Sequence, residues 1–384
     1  MAQERRIDWF MLGIATVLAL FGAMMVYSAS AMFALKETES ASQYTYFFKQ
    51  IGFTVAGLVA MYVVSRVDYH TYQNKWFVIA LVGFTVVMLV AVFFFPAING
   101  AKRWIRVPGF SMQPSEITKI ALPVFLAWFL TKKEDAVGEF KQTLLPCLAV
   151  FGLLAVLIFR EPDLGTVIVL SSIFAAIYFA AGARVTYILG VVGSLGVIGA
   201  LAVVLAPWRF ARLLAFFDPC SSENGSATGY QVCQSLMGLG SGGVLGEGFA
   251  QGKQKLFYLP YPYSDFIFSV VGEELGLVGT LAVVVAFGLL LWRGARAAVM
   301  APDRFGNLLG IGIITGIIVQ ALFNISVVTS LLPAKGIPLP FISYGGSSVM
   351  ITLVGVGILL NISKFSEAVN RRGAETRRQK RRYA

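Results

Sequence analysis

Apolar residues run along this chain in ten long blocks, at residues 9–34, 47–65, 76–96, 114–131, 143–159, 164–182, 185–206, 265–292, 305–330 and 341–362. None alternates apolar and polar positions at period two, so none reads as a strand of a membrane barrel. A helix needs about 20 apolar residues to cross the hydrocarbon of a bilayer, and each block reaches or approaches that length. The pattern predicts an all-α polytopic membrane protein with about ten transmembrane helices. Very short connections make the fifth, sixth and seventh helices close neighbours. A long connection, 207–264, separates the seventh and eighth, and loops of that length usually carry function or short elements of their own.

Composition agrees: 57% of the 384 residues are hydrophobic and 13% charged, which excludes an ordinary soluble domain. The basic residues set the orientation. With the N-terminus in the cytoplasm, 19 of the 31 Lys and Arg residues fall on cytoplasmic segments, 11 fall outside, and Lys119 lies within a span. An even number of spans puts both termini in the cytoplasm and 207–264 outside. Arg5-Arg6, the first block and Ser28-Ala29-Ser30-Ala31 imitate a secretory signal, but the block far exceeds the roughly 7–15 residues of a signal core. Residues 1–363 therefore read as one transmembrane domain and 364–384 as a basic cytoplasmic tail. The tail holds Arg371, Arg372, Arg377, Arg378, Lys380, Arg381 and Arg382, and suits anionic lipid rather than nucleic acid. Much of the net charge of +11 lies there and says little about substrate.

Of three cysteines, Cys147 lies in an apolar block and reads as packing. Cys220 and Cys233 share the long outside connection and are expected to form a disulfide in an oxidising compartment. The single histidine, His70, reads as a solvated loop residue, and without a Cys/His cluster a zinc site is disfavoured.

Charges near the spans gather on the predicted outer side. Lys102, Arg103 and Arg106 lie where the positive-inside bias disfavours them, either snorkelling to headgroups or forming an anion site. Glu116 and Lys119, three apart at the start of the fourth helix, share a face and can pair. Arg160, Glu161 and Asp163 collect between the fifth and sixth helices. Asp265, Glu273 and Glu274 border the eighth helix, where carboxylates are costly unless solvated or partnered. The run Ser343–Ser348 follows three prolines and suits irregular backbone lining a cavity, or close helix packing. No P-loop is present in the Gly-rich part of the long connection. The asymmetry argues for binding or chemistry at the outer leaflet.

The motifs Lys102-Arg103-Trp104-Ile105, Gln113-Pro114-Ser115-Glu116, Glu161-Pro162-Asp163-Leu164-Gly165, Asp265-Phe266-Ile267-Phe268, Gly272-Glu273-Glu274-Leu275-Gly276 and residues 339–348 together resemble the SEDS family (shape, elongation, division and sporulation). The resemblance spans all ten blocks. Residues 254–260 and 332–336 are closer to the division branch, FtsW, than to the elongation branch, RodA. The family often has a charged or His-containing segment before its essential aspartate, where this chain has Tyr261-Pro262-Tyr263-Ser264; that departure touches the acceptor contacts. The resemblance implies a peptidoglycan glycosyltransferase that polymerises lipid II at the outer face of the bacterial inner membrane. It implies a class B penicillin-binding protein as transpeptidase partner, beside other divisome or elongasome membrane proteins. It makes Asp265 the essential aspartate and Arg103, Glu116, Lys119, Asp163, Lys255 and Ser343 polar positions of a substrate cavity.

Such a reaction needs a base for the attacking hydroxyl and cations for the diphosphate leaving group. Asp265 suits the first task; Arg103, Lys119 and Lys255 suit the second. A carboxylate in the first turn of a helix is expected to have a depressed pKa and to be a weak base. A divalent cation, Mg or Mn, beside Asp265 would offset that weakness; no other cofactor is expected. The competing reading is a lipid II flippase, which would need polar groups along a path from the cytoplasmic side.

Overall fold

The computed structural model describes residues 7–37, 42–97, 100–107, 110–220 and 227–382. Arg5, Arg6, Asn99 and the side chains of the tail arginines lie outside the described residues. In chain order the helices are α1 (Trp9–Glu37), α2 (Thr45–Arg66), α3 (Lys75–Ala91), α4 (Pro114–Lys132), α5 (Leu145–Arg160), α6 (Leu164–Ala180), α7 (Val185–Val204), α8 (Pro207–Phe217), α9 (Ala227–Ser241), α10 (Ile267–Val299), α11 (Arg304–Val328) and α12 (Gly346–Arg382). All ten apolar blocks are helical. Among the described residues seven helices are long and apolar enough to cross a membrane; α6 and the Val185–Leu201 stretch of α7 are apolar but shorter. The remaining block is α4, whose Glu116, Lys119 and Lys132 interrupt its apolar run.

Local chemistry sets the helix starts. Pro114 and Pro207 occupy the first turns of α4 and α8, where a missing N–H costs nothing. Asp163 caps α6 by accepting from the Thr166 N–H, and Asp303 caps α11 by accepting from Gly306. The packing centre is α11, which touches α4, α6, α10 and α12. Along the α2–α12 seam the backbones nearly meet: a Cβ on Gly357 would lie 2.7 Å from the Met61 carbonyl.

Four features depart from the block pattern. The long connection contains α8 and α9, and a short antiparallel hairpin, β1 (Ile105–Val107) with β2 (Phe110–Met112), precedes α4. The last helix starts at Gly346 rather than 341, because residues 339–343 form a loop tied to the neck of α10. Most consequential, α10 is broken at Gly276, which has φ 64° and ψ −160°. In an unbroken helix the Leu277 and Val278 N–H groups would reach the carbonyls of Glu273 and Glu274. Here they donate to Gly243 (2.9 Å) and Val244 (3.2 Å), while the Glu273 and Glu274 carbonyls accept from the N–H groups of Glu247 (2.9 Å) and Gly248 (3.0 Å). A loop from the long connection thus fills the break and satisfies all four backbone groups.

At the end of the bundle holding the predicted cytoplasmic loops, Asp8 pairs with Arg293 at 2.7 Å, joining α1 to α10. His70 is partly exposed, as expected of a loop residue, but it also contacts Asp68 (2.6 Å) and Asp303 (3.3 Å).

Candidate active site

At the opposite end, α4, α6, α8, α9 and the segments before α10 and α12 enclose a polar cavity of about 410 Å³. Arg103, Glu116, Lys119, Asp163 and Asp265 all line it. Five of the seven predicted site residues therefore converge from four separate parts of the chain.

Asp265 sits ahead of α10, whose helical residues begin at Ile267, so it is not in the first turn as the sequence suggests. Its backbone carbonyl accepts from Asn324 Nδ2 at 2.7 Å, and the same amide donates to the Ile337 carbonyl at 2.7 Å. One α11 side chain thereby fixes the aspartate loop against the loop carrying Gly336. Space there is tight: a Cβ on Gly336 would lie 2.7 Å from Asp265 Oδ2. Burial pushes the Asp265 pKa up to about 6; Arg103 opposes the shift, Asp163 adds to it, and Arg212 opposes it. The depressed value expected from a helix dipole is overturned, because desolvation outweighs a dipole that starts two residues later.

Arg103 lines the cavity with its guanidinium anchored: Nε donates to the Glu161 carbonyl (2.8 Å) and Nη2 to the Pro162 carbonyl (2.6 Å). Beneath it the Glu161 side chain is fully buried, and neither carboxyl oxygen has a hydrogen-bond partner. Burial first, then Asp163, push its pKa up to about 9 against the pull of Arg103, so Glu161 is neutral at pH 7. Asp163 is committed locally. It caps α6, accepts from the Thr166 hydroxyl (2.8 Å) and accepts from Gln113 Nε2 (3.0 Å). Glu116 and Lys119 form the expected pair at 2.7 Å, and Lys119 also donates to Gln320 Oε1 at 2.6 Å.

Two predicted residues stand elsewhere. Lys255 is buried off the cavity wall, where Nζ meets Glu274 Oε1 (2.6 Å) and the Ser28 hydroxyl (2.8 Å). It balances a buried carboxylate and does not face the cavity as a diphosphate cation would. Ser343 is a clamp: its hydroxyl donates to the Ser264 carbonyl (2.5 Å) and accepts from the Leu339 N–H (2.7 Å). From the run it opens, Tyr344, Gly345 and Ser348 line the cavity instead. Glu273 and Glu274 are buried and do not line the cavity. Glu273 accepts from the N–H groups of Lys253 (2.6 Å) and Gln254 (3.0 Å), and Glu274 Oε2 from Ala250 (3.0 Å). Cys220 and Cys233 are bonded, with Cα atoms 5.1 Å apart.

Sequence reading missed Arg212, Gln231 and Lys335, which line the cavity, and Gln320 and Asn324, which brace it. Two amides four apart inside an apolar block were a usable signal, since they share a helix face and need partners. Among the described residues no group of three or more His, Cys, Asp or Glu side chains is placed to hold a metal ion. A chelating group of three such side chains is therefore absent beside Asp265, and no step below uses a divalent cation.

A bundle of apolar helices that gathers acidic and basic side chains into one cavity at one end defines a polytopic membrane protein with a polar chamber. The family described as cell cycle protein FtsW/RodA/SpoVE matches residues 8–368, and the chain belongs to it. Among its relatives, a probable peptidoglycan glycosyltransferase FtsW of Geobacter metallireducens is 42% identical over 93% of this chain and 95% of its own. The stage V sporulation protein E of Bacillus subtilis is 39% identical over 94% and 97%. A solved chain from a peptidoglycan synthase complex, described as coordinating polymerization and crosslinking, superposes with TM-score 0.75 at 23% identity, over 94% of this chain and 98% of that one. The rod shape determining protein RodA of Thermus thermophilus superposes with TM-score 0.68 at 24% identity, over 93% and 97%. Both structures share this fold.

Proposed function

We propose that the cavity is the active site of a peptidoglycan glycosyltransferase that polymerises lipid II into β-1,4 glycan strands. Relatives named for that activity match along nearly the whole chain, and the chain is a peptidoglycan glycosyltransferase of their family. The observation that carries the site assignment is the convergence of the Asp265 carboxyl with Arg103 and Lys119 on the wall of one cavity.

In the reaction, Asp265 takes the proton of the acceptor sugar hydroxyl as its oxygen attacks the donor anomeric carbon. The bond from that carbon to the diphosphate breaks, and the diphosphate departs with the electron pair toward the cationic wall. Attack opposite the leaving group inverts an α-linked donor to a β-linked strand. A base near pKa 6 is mostly ionised at pH 7 and still releases its proton to water after each cycle.

The reading extends to the whole chain: ten membrane helices, both termini cytoplasmic, residues 1–363 as the membrane domain and 364–384 as a cytoplasmic tail, with the cavity facing outward from the bacterial inner membrane. The bias of Lys and Arg, 19 inside against 11 outside, supports that orientation. A class B penicillin-binding protein as transpeptidase partner is supported by the likeness to a chain of a peptidoglycan synthase complex. The FtsW-named relatives favour work in division, beside other divisome membrane proteins, over elongation.

The test is polymerisation of labelled lipid II by purified protein, alone and with its transpeptidase, beside Asp265→Asn. Glycan strands from the wild type, none from the folded variant, are expected. Transbilayer movement of lipid II with no strands under any condition would replace this reading with a transporter.

A further inference from the structure

Beside the polar cavity lies a second pocket of about 180 Å³ whose walls are mostly apolar, including Leu164, Val203, Leu213, Phe323 and Leu332. The two share a seam of six residues: Arg103, Asp163, Arg212, Ala334, Lys335 and Gly336. Three of the six are cationic. Two of these, Arg212 and Lys335, come from elements that the block pattern left blank: α8, and the loop between α11 and α12.

A substrate built as sugar, diphosphate and isoprenoid tail has the same order of chemistry as cavity, seam and pocket. Its anionic group belongs where polar and apolar spaces meet. We propose that Arg212 and Lys335 are diphosphate-binding residues that seat the leaving group at this seam; the inference rests on the polyprenyl-diphosphate donor of the proposed function.

Two other cations lie off the seam. Lys119 is held by Glu116 and Gln320 and does not touch the apolar pocket. Lys255 is buried with Glu274. Arg103 shares the seam too, where its guanidinium is fixed by the Glu161 and Pro162 carbonyls. The seam carboxylate, Asp163, is already satisfied by Thr166 and Gln113. Arg212 acts electrostatically on Asp265, lowering its pKa as Arg103 does. A guanidinium there meets both the base and a departing diphosphate, and its forked donors fit phosphate oxygens. The seat is anchored from two sides. Three residues beyond α8, Cys220 is bonded to Cys233 of α9, and α9 is held by Ser235, whose hydroxyl donates to the Val328 carbonyl at 2.9 Å.

The test is direct binding of radiolabelled farnesyl diphosphate and farnesyl monophosphate to the full chain in nanodiscs. Wild type and Asp265→Asn should prefer the diphosphate by at least about tenfold. Arg212→Gln and Lys335→Gln should each erode that preference, and the double variant should abolish it while monophosphate binding persists, showing an intact pocket. Arg212→Lys should restore part of it. A preference unchanged in the double variant, or absent from the wild type, overturns the inference. Wild-type protein that shows the preference but makes no glycan would instead sink the glycosyltransferase reading alone.

Discussion

The Asp265 carboxyl makes a prediction at the scale of one residue. Its pKa of about 6 means that it must be deprotonated to serve as base, so the polymerisation rate should fall by about tenfold per pH unit below 6. Stability should move the other way for this group. Its folded pKa lies above the ordinary 3.8, so the native state binds the proton more tightly and the group favours folding more as pH falls from about 6 toward 4. Acid loss of activity without loss of the folded protein, followed by lipid II turnover and by thermal unfolding on the same samples, is the expected pair of results. An activity flat to pH 5 would remove Asp265 from the proton transfer. The sequence marked Asp265 by its position beside a span, and the cavity agrees. The direction of its pKa shift was not legible, because it depends on burial in the folded chain and on the Arg103, Asp163 and Arg212 side chains, all far away in the sequence. Lys255 was expected on the cavity wall, and its pairing with Glu274 was not legible because it depends on how α10 packs against the loop before it.

At the scale of elements, the apolar blocks were legible because a membrane helix needs length and little else. The amphipathic α8 and the mixed α9 have no such signature and were invisible in the block pattern. The break in α10 was invisible too, since a single glycine in an apolar run is unremarkable. Its cause lies in residues 243–248, whose backbone occupies the gap. A Cβ on Gly276 would lie 2.4 Å from the Gly246 nitrogen and 2.5 Å from the Val244 carbonyl oxygen, in a backbone region that L residues avoid. Gly276→Ala should therefore cost at least about 1–3 kcal/mol, read as a lowered midpoint in thermal unfolding. Gly288→Ala, in the same helix with open space around it, is the control and should leave the midpoint unchanged or slightly raised. Equal midpoints for the two variants would mean that the docked loop does not support the helix.

The whole molecule has two ends of different character, one held by ion pairs such as Asp8–Arg293, the other hollowed into the cavity, where the Cys220–Cys233 link ties α9 to the segment after α8. If the hollow end faces outward, a membrane-impermeant reductant added to spheroplasts should free both thiols for alkylation with a mass tag. The buried Cys147 stays unlabelled unless the protein is denatured. Thiols that react without reductant, or only after the membrane is breached, would contradict the outward assignment. The expected orientation is a sum over many lysines and arginines, so it does not hang on any one of them.

The docked loop in α10 bears on how the protein is made. The first half of that helix carries Glu273 and Glu274, and no bilayer would accept it unaided. Yet every partner the structure gives those carboxylates, Ser28, Ala250, Lys253, Gln254 and Lys255, lies earlier in the chain. So do Glu247 and Gly248, which take up their carbonyls. When the ribosome reaches the two glutamates, their whole polar surroundings have already been synthesised. The segment need never wait, charged and unmatched, for a later helix to arrive.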